Sequence, residues 1–229
     1  MRKIFIDCGG HQATSVDAFL RRYPAAEQFE IYSFEANHKF AAAFEKFSNV
    51  NLDIAAVWIH DGSIKFHNTN DESSSIYEEK VNQSDIIEEL EVKSIDLDRW
   101  IKENFDKDDY IVLKLDIEGA EYEVLEHMMK NGSIEWIDRL FIEWHCAKID
   151  EITVDRHITL LEALYICNLP PRVWDHSRDI SFNEFETLIK NIARTPEQLR
   201  ELSLHGKRFE SVCAKFSELD LYGEMQVKN

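Results

Sequence analysis

Residues 110–125 read YIVLKLDIEGAEYEVL, and the two halves of this stretch follow different rules. Tyr110–Asp116 is an almost unbroken apolar run, the composition of a parallel strand covered on both faces. From Ala120 onward, Val124, Leu125 and Met128 recur at helical spacing, and Gly132 stands where that helix should stop. A buried strand handing directly to a helix is half of a βαβ unit. It predicts a parallel sheet wrapped by helices.

The same alternation extends outward on both sides. Lys3–Asp7 (KIFID) reads as a buried strand, and Val16, Phe19, Leu20 and Tyr23 predict a helix from about His11 to Pro24. Ile31–Glu35 is a second strand, Phe40, Phe44 and Phe47 mark a second helix, and Val50–Trp58 is a third strand. Asp61-Gly62 signals a tight turn, with Ser63–His67 as its hairpin return. Residues 68–84 are polar and aperiodic, with Ser73-Ser74-Ser75 in their middle, and read as a loop. Leu97, Ile101 and Phe105 mark a helix, and Leu140–His145 is the strand that follows residues 110–132. Further on, Ile158, Leu161 and Tyr165 suggest a helix, and Arg172–Trp174 a short strand. Capping patterns at Ser181/Glu184 and Thr195-Pro196 then open further helices. The expectation is one domain over residues 1–229. It has an α/β core of mostly parallel sheet flanked by helices (1–180) and a helical C-terminal extension (181–229). That extension is a candidate lid or homodimer contact.

Composition narrows the function. The chain has 229 residues, and 26 Lys+Arg against 44 Asp+Glu give a formal net charge of −18. A surface that acidic repels phosphate backbones and anionic membranes, which argues against nucleic-acid partners and membrane docking. No apolar run approaches the roughly 20 residues of a membrane span. Ile4–Ile6 is cut short by Asp7, so no signal peptide is expected. Cys8, Cys146, Cys167 and Cys213 are scattered without ligand spacing, consistent with reduced thiols in a cytoplasmic setting.

Four constellations carry chemistry. Asp7-Cys8-Gly9-Gly10 lies where the first strand turns into a helix. Glycines there let backbone approach a ligand, and the helix N-terminus offers free N–H groups. Glu35 ends the second strand, where a carboxylate can accept from both ribose hydroxyls of a nucleoside, although an acid at that place also reads as a surface residue. Lys114 and Asp116 share one face of their strand by period two, with Asp116 at its carboxyl end. Glu118 and Glu121 follow in the first helical turn, a position that macrodipole stabilisation alone would explain for Glu121. Glu143 and His145 end the next strand on a common face. Ionisable groups converging on one rim of a sheet are the pattern of an active site.

These residues resemble the FkbM-like S-adenosylmethionine-dependent methyltransferases. Leu113–Leu125 carries the resemblance. It is supported by Phe5–Gly10 (FIDCGG), Phe34–Asn37 (FEAN), Ala55–Val57 with Asp61-Gly62, Ser74-Ser75, Ser94–Trp100 (SIDLDRW) and Ile142–His145 (IEWH). Gly10-His11 departs from the more usual Ala-Asn, and the extension after Ser181 is not part of the pattern. The resemblance implies a Rossmann-like class I methyltransferase fold. It also implies S-adenosylmethionine as cofactor, S-adenosylhomocysteine as product, and O-methylation of a small acceptor, often a sugar or glycan. By that likeness Asp7, Gly9 and Gly10 would hold the methionine end, with His11 and Ser15 close by. Glu35 would take the ribose, and Ala36, Asn37 and Ala56 would border the adenine. Asp116, Glu118 and His145 would face the acceptor, with Glu143 behind them and Lys114 beside Asp116, which serves the cofactor end too. Ser74 or Ser75 would sit beside the adenine or the acceptor on a closing loop.

Three alternatives stand beside this reading. A divalent metal on Asp116 and Glu143 could lower the acceptor's pKa. An NAD-type oxidoreductase shares the fold class, but the glycine motif is broken. A non-catalytic nucleoside-binding module would have no physical reason to keep costly half-buried charges at the rim.

Overall fold

The computed structural model describes residues 1–69, 74–78, 86–145, 149 and 152–173. The expected extension over 181–229, with its lid or dimer role, lies outside the described residues, as do Ser73, Trp174, Cys146 and Cys213.

Six strands form the main sheet: β1 (Lys3–Cys8), β2 (Glu30–Phe34), β3 (Val50–Asp53), β7 (Tyr110–Leu115), β8 (Ile137–Ile142) and β9 (Arg172–Val173). Their order is β3-β2-β1-β7-β8-β9, and every pairing is parallel. The order reverses between β1 and β7, so a crevice opens above their carboxyl ends, where ligands of open α/β sheets bind. The β1 and β7 residues after the first are all buried, as strands covered on both faces must be. Register places Ser33, Asp7 and Lys114 side by side across β2, β1 and β7.

Aromatic side chains pack one face of this sheet. Phe5 stacks on Phe19 of α1 (Thr14–Arg22) at 3.9 Å between ring centroids, and Phe29, Phe44 and Val16 join the same cluster. Further helices are α2 (Leu97–Asn104), α3 (Glu121–Asn131) and α4 (Val154–Ile166). In α3, Val124, Leu125 and Met128 are buried. Gly132 ends the helix at φ 95°, a left-handed conformation that glycine adopts without strain.

Several local expectations are corrected. The first helix begins at Thr14, because His11 and Ala13 take left-handed φ values of 44° and 59° and delay it. The Phe40 segment is a 3₁₀ helix, His38–Phe44, capped by the Asn37 side chain. The expected strand Val50–Trp58 is two strands. After Asp53 the chain leaves the main sheet, and β4 (Ala56–Trp58) joins a second sheet with β5 (Gly62–Thr69) and β6 (Ile86–Asp96). Asp61-Gly62 closes no hairpin, since β6 lies between β4 and β5, parallel to the first and antiparallel to the second. The Asp61 carboxylate instead binds the Arg99 guanidinium and accepts from the Asp96 N–H. β6 is an addition to the expected elements: its charge-rich sequence IIEELEVKSID is buried only at Ser94 and Ile95, too short a stripe to stand out. Among the described residues no helix is long and apolar enough to cross a membrane.

Candidate active site

The crevice at the reversal point contains a cavity of about 330 Å³. That is enough for a nucleoside-sized ligand. Gly9 lines it after β1, Glu35, Ala36 and Asn37 after β2, Asp116, Ile117 and Glu118 after β7, and Glu143 after β8.

The floor is a buried charge network. Lys114 Nζ lies 3.3 Å from Asp7 Oδ1 and 3.1 Å from Asp116 Oδ2, and it donates to the Gly9 carbonyl at 2.7 Å. Ser15 and Ser33 hydroxyls both donate to Asp7 Oδ2 at 2.8 Å. Burial pulls the Lys114 pKa down, but the charges of Asp7 and Asp116 outweigh it and hold the ammonium above its ordinary value. Asp7 was expected to touch the methionine end. It is instead fully buried beneath the cavity, where it orients Ser15, which does line the wall.

The glycine turn is shaped by close approach. Gly9 has φ 82°, and a Cβ there would fall 1.7 Å from the Asp116 carbonyl oxygen. Gly10 is not among the lining residues. A Cβ on it would meet Ser33 Oγ at 2.3 Å and the Phe44 ring at 2.7 Å, so it serves packing. His11 lines the wall, its ring edge-on to Phe40 at 4.1 Å.

Glu35 joins two loops. Its Oε2 accepts from the His11 N–H and its Oε1 from the Asn37 N–H, both at 2.7 Å. Burial pushes its pKa up, and the two backbone N–H groups oppose that shift. Each oxygen keeps a lone pair for a hydroxyl donor. Around it, Phe34, Ala36, Phe40, Ala56, Val57 and Phe66 supply the apolar part of the wall. Asn37 Nδ2 donates to Asn68 Oδ1 at 2.9 Å, tying this wall to β5.

The opposite end is carboxylate-rich. Asp116, Glu118 and Glu143 line the cavity, while His145 is not among the lining residues. This reverses the expected order, in which Glu143 stood behind His145. The His145 ring is held from behind by Glu121, whose Oε1 lies 3.0 Å from Nδ1. Glu121 is fully buried and also accepts from the Ile117 and Gly119 N–H groups. Sequence reasoning assigned it to the helix macrodipole. The signal that could have found it is an acid placed to reach back over the Glu118-Gly119 turn. Glu143 has its pKa raised by desolvation and then by the Asp116 charge, although half its side chain meets solvent.

The serine loop is also rearranged. Ser74 and Ile76 line the cavity, but Ser75 does not. Its hydroxyl donates to the Glu118 carbonyl at 2.6 Å, and its backbone bridges to His67. Ser75 therefore anchors the loop to the site, where an aperiodic sequence suggested it was loosely held.

The sequence profile of the methyltransferase FkbM domain matches residues 7–176. Among solved structures, a chain from the crystal structure of methyltransferase FkbM from Methylobacillus flagellatus KT is similar at 14% identity, with a TM-score of 0.36. The match covers 58% of this chain and 30% of that one, so this chain spans under a third of its length. No curated protein matches the chain.

Proposed function

The chain belongs to the FkbM methyltransferase family, and from that premise we propose that it moves a methyl group from S-adenosylmethionine to a hydroxyl of a small polar acceptor, a sugar or glycan. The observation that carries this reading is that the Glu35 carboxylate and the Asp116–Glu143 rim open into one cavity, across the sheet's reversal point. The chain's groups fit the cofactor. Gly9 leaves a cradle that a Cβ would fill, Ser15 is oriented by Asp7, and Glu35 presents acceptors for vicinal hydroxyls.

When bound, the cofactor supplies an electrophilic methyl carbon: the acceptor oxygen bonds to it as the carbon–sulfur bond breaks, leaving the electron pair on sulfur as S-adenosylhomocysteine. The protein's part is alignment and proton removal. Glu143 is our choice for the group that takes the hydroxyl proton. It stands on the wall, and its raised pKa brings it nearer the working range of a base. Lys114 neutralises Asp116 and locks the Gly9 turn, so that cofactor and acceptor ends keep a fixed separation.

The test is methyl transfer to a panel of monosaccharides and glycosides, with calorimetry of S-adenosylhomocysteine alongside. Glu143→Gln should lower turnover by about 10²–10⁴-fold with product affinity nearly unchanged. Binding of NAD in preference to S-adenosylhomocysteine would replace this reading with an oxidoreductase. Binding without turnover on any acceptor would leave a nucleoside-binding module.

A further inference from the structure

Resting on the methyl-transfer reading for its chemistry but not for its detection, we propose that Asp116, Glu118 and His145 form a site for one divalent cation, Mg²⁺ or Mn²⁺, at the acceptor end of the cavity. The three come from the residue after β7, the turn that follows it and the segment after β8, and their ligand atoms lie within 4.8 Å of one another. His145 Nε2 is 3.8 Å from Asp116 Oδ1 and 3.5 Å from Glu118 Oε2, with Glu143 Oε1 also at 3.8 Å. These separations are long for strong hydrogen bonds. Around an ion with bonds of about 2.1 Å, the two separations from His145 to Asp116 and Glu118 subtend roughly 110–130°, and closing each by under about an ångström brings it to the right angle of an octahedral site.

A separate contact points the same way. Glu121, fully buried, meets His145 Nδ1 at 3.0 Å. In the neutral tautomer with its proton on Nδ1, the ring donates to Glu121 and presents the Nε2 lone pair to Asp116 and Glu118. A carboxylate behind the far nitrogen is the arrangement that orients metal-ligating imidazoles. Lys114 completes it from the other side. By holding Asp116 Oδ2 it leaves Oδ1 directed at His145, and it already divides its charge between Asp116 and Asp7.

The second such group, Asp96, Asp98 and His127, lacks this design. His127 Nε2 lies 3.1 and 3.2 Å from the two oxygens of Asp96, and Asp98 is taken by Lys102 and the Ser133 N–H. It serves as the internal control. Two carboxylates and one imidazole leave three octahedral positions, two of which could take neighbouring acceptor oxygens such as those of a vicinal diol. The cation would lower the pKa of an acceptor hydroxyl, and Glu143, 3.8 Å from His145 Nε2, would be placed to take the proton.

The experiment is titration of the full chain with Mn²⁺, followed by electron paramagnetic resonance, with and without S-adenosylhomocysteine. We expect one Mn²⁺ per chain with a Kd on the order of 10⁻⁴ M or tighter. Glu118→Gln and His145→Gln should each weaken it at least about tenfold, and Asp96→Asn should not. Mn²⁺ should also broaden the His145 ring resonance in the parent protein, a readout that needs no variant. No Mn²⁺ bound at about 1 mM, a sharp His145 resonance, or affinity that survives both substitutions overturns the site. If the chain binds S-adenosylhomocysteine but fails to bind Mn²⁺, the cation site alone falls. If it binds Mn²⁺ but fails to bind S-adenosylhomocysteine, the methyl-transfer reading alone falls.

Discussion

Lys114 Nζ lies 3.3 Å from Asp7 Oδ1 across the β1–β7 pairing, with both side chains sealed from solvent. Lys114 is the cation that faces the buried Asp7 carboxylate, while Asp116 shares the ammonium and the Ser15 and Ser33 hydroxyls donate to Asp7. Lys114→Met strands the Asp7 carboxylate and should cost about 3–5 kcal/mol of stability. Urea unfolding measures it. Adding Asp7→Asn should restore part of the loss, and a double variant that simply sums the two single losses would show that the residues do not act as a pair.

Glu35 gives opposite pH signs to binding and to folding. Its folded-state pKa is raised, burial being the largest cause. Stability linked to it is therefore present at low pH and declines as pH rises from the ordinary carboxylate range through the folded pKa. Ribose recognition needs the ionised form, so affinity for S-adenosylhomocysteine should rise over that same window. Calorimetry across pH on the parent and on Glu35→Gln checks this. The variant should bind on the order of tenfold weaker, from the loss of one charge-assisted bond, and should lose the pH dependence. An unchanged profile sinks the ribose assignment.

Gly9→Ala places a methyl group against the Asp116 carbonyl in a left-handed backbone. Both the clash and the positive φ oppose it, so destabilisation should exceed the roughly 1 kcal/mol scale of compatible glycine replacements. The Asp116 loop must move to admit it, and product binding should weaken with it. Thermal unfolding and calorimetry on one preparation report both effects. A variant as stable as the parent means the turn is looser than its geometry implies.

His157 is buried against Tyr122 and Trp144, and burial depresses its pKa to about 3. An unfolded histidine titrates near 6.5, so below that pH the unfolded chain binds the extra proton. Stability is fully present above about pH 6.5 and should fall by about 1.4 kcal/mol per pH unit below it. His157→Phe should flatten that slope in urea titrations between about pH 3 and 6.5, the window the two pKa values define. Parent and variant curves of equal slope would rule out His157 as the source.

The main sheet was legible because its strands are self-evident from composition. KIFID and YIVLKLD are apolar enough that only double-sided burial accommodates them, and a helix after each strand implies parallel pairing. The strand-end acids and the glycine turn followed from the same register, since period two fixes which residues share the rim. β6 was hidden for the opposite reason. Its period-two stripe is short, Leu90 and Val92 alternating with Glu89, Glu91 and Lys93 and themselves only half-buried, and its backbone pairing with β4 and β5 is what reveals it.

What the sequence determined by itself was the βαβ order and the row of ionisable residues at the carboxyl ends of the strands. These depend on local periodicity and on the charge of single side chains. Tertiary structure alone decided which of those residues face the cavity. Asp7 lies under it because Ser15, Ser33 and Lys114 converge on its carboxylate from three separate elements. Glu143, not His145, reaches the wall, because Glu121, itself pinned by the Ile117 and Gly119 N–H groups, draws the imidazole back. Ser75 likewise turns from the cavity to the Glu118 carbonyl. Each outcome depends on hydrogen bonds between residues far apart in the chain. Such bonds leave no periodic trace in the sequence, because the partner is selected by the packing of the sheet and not by spacing along the backbone.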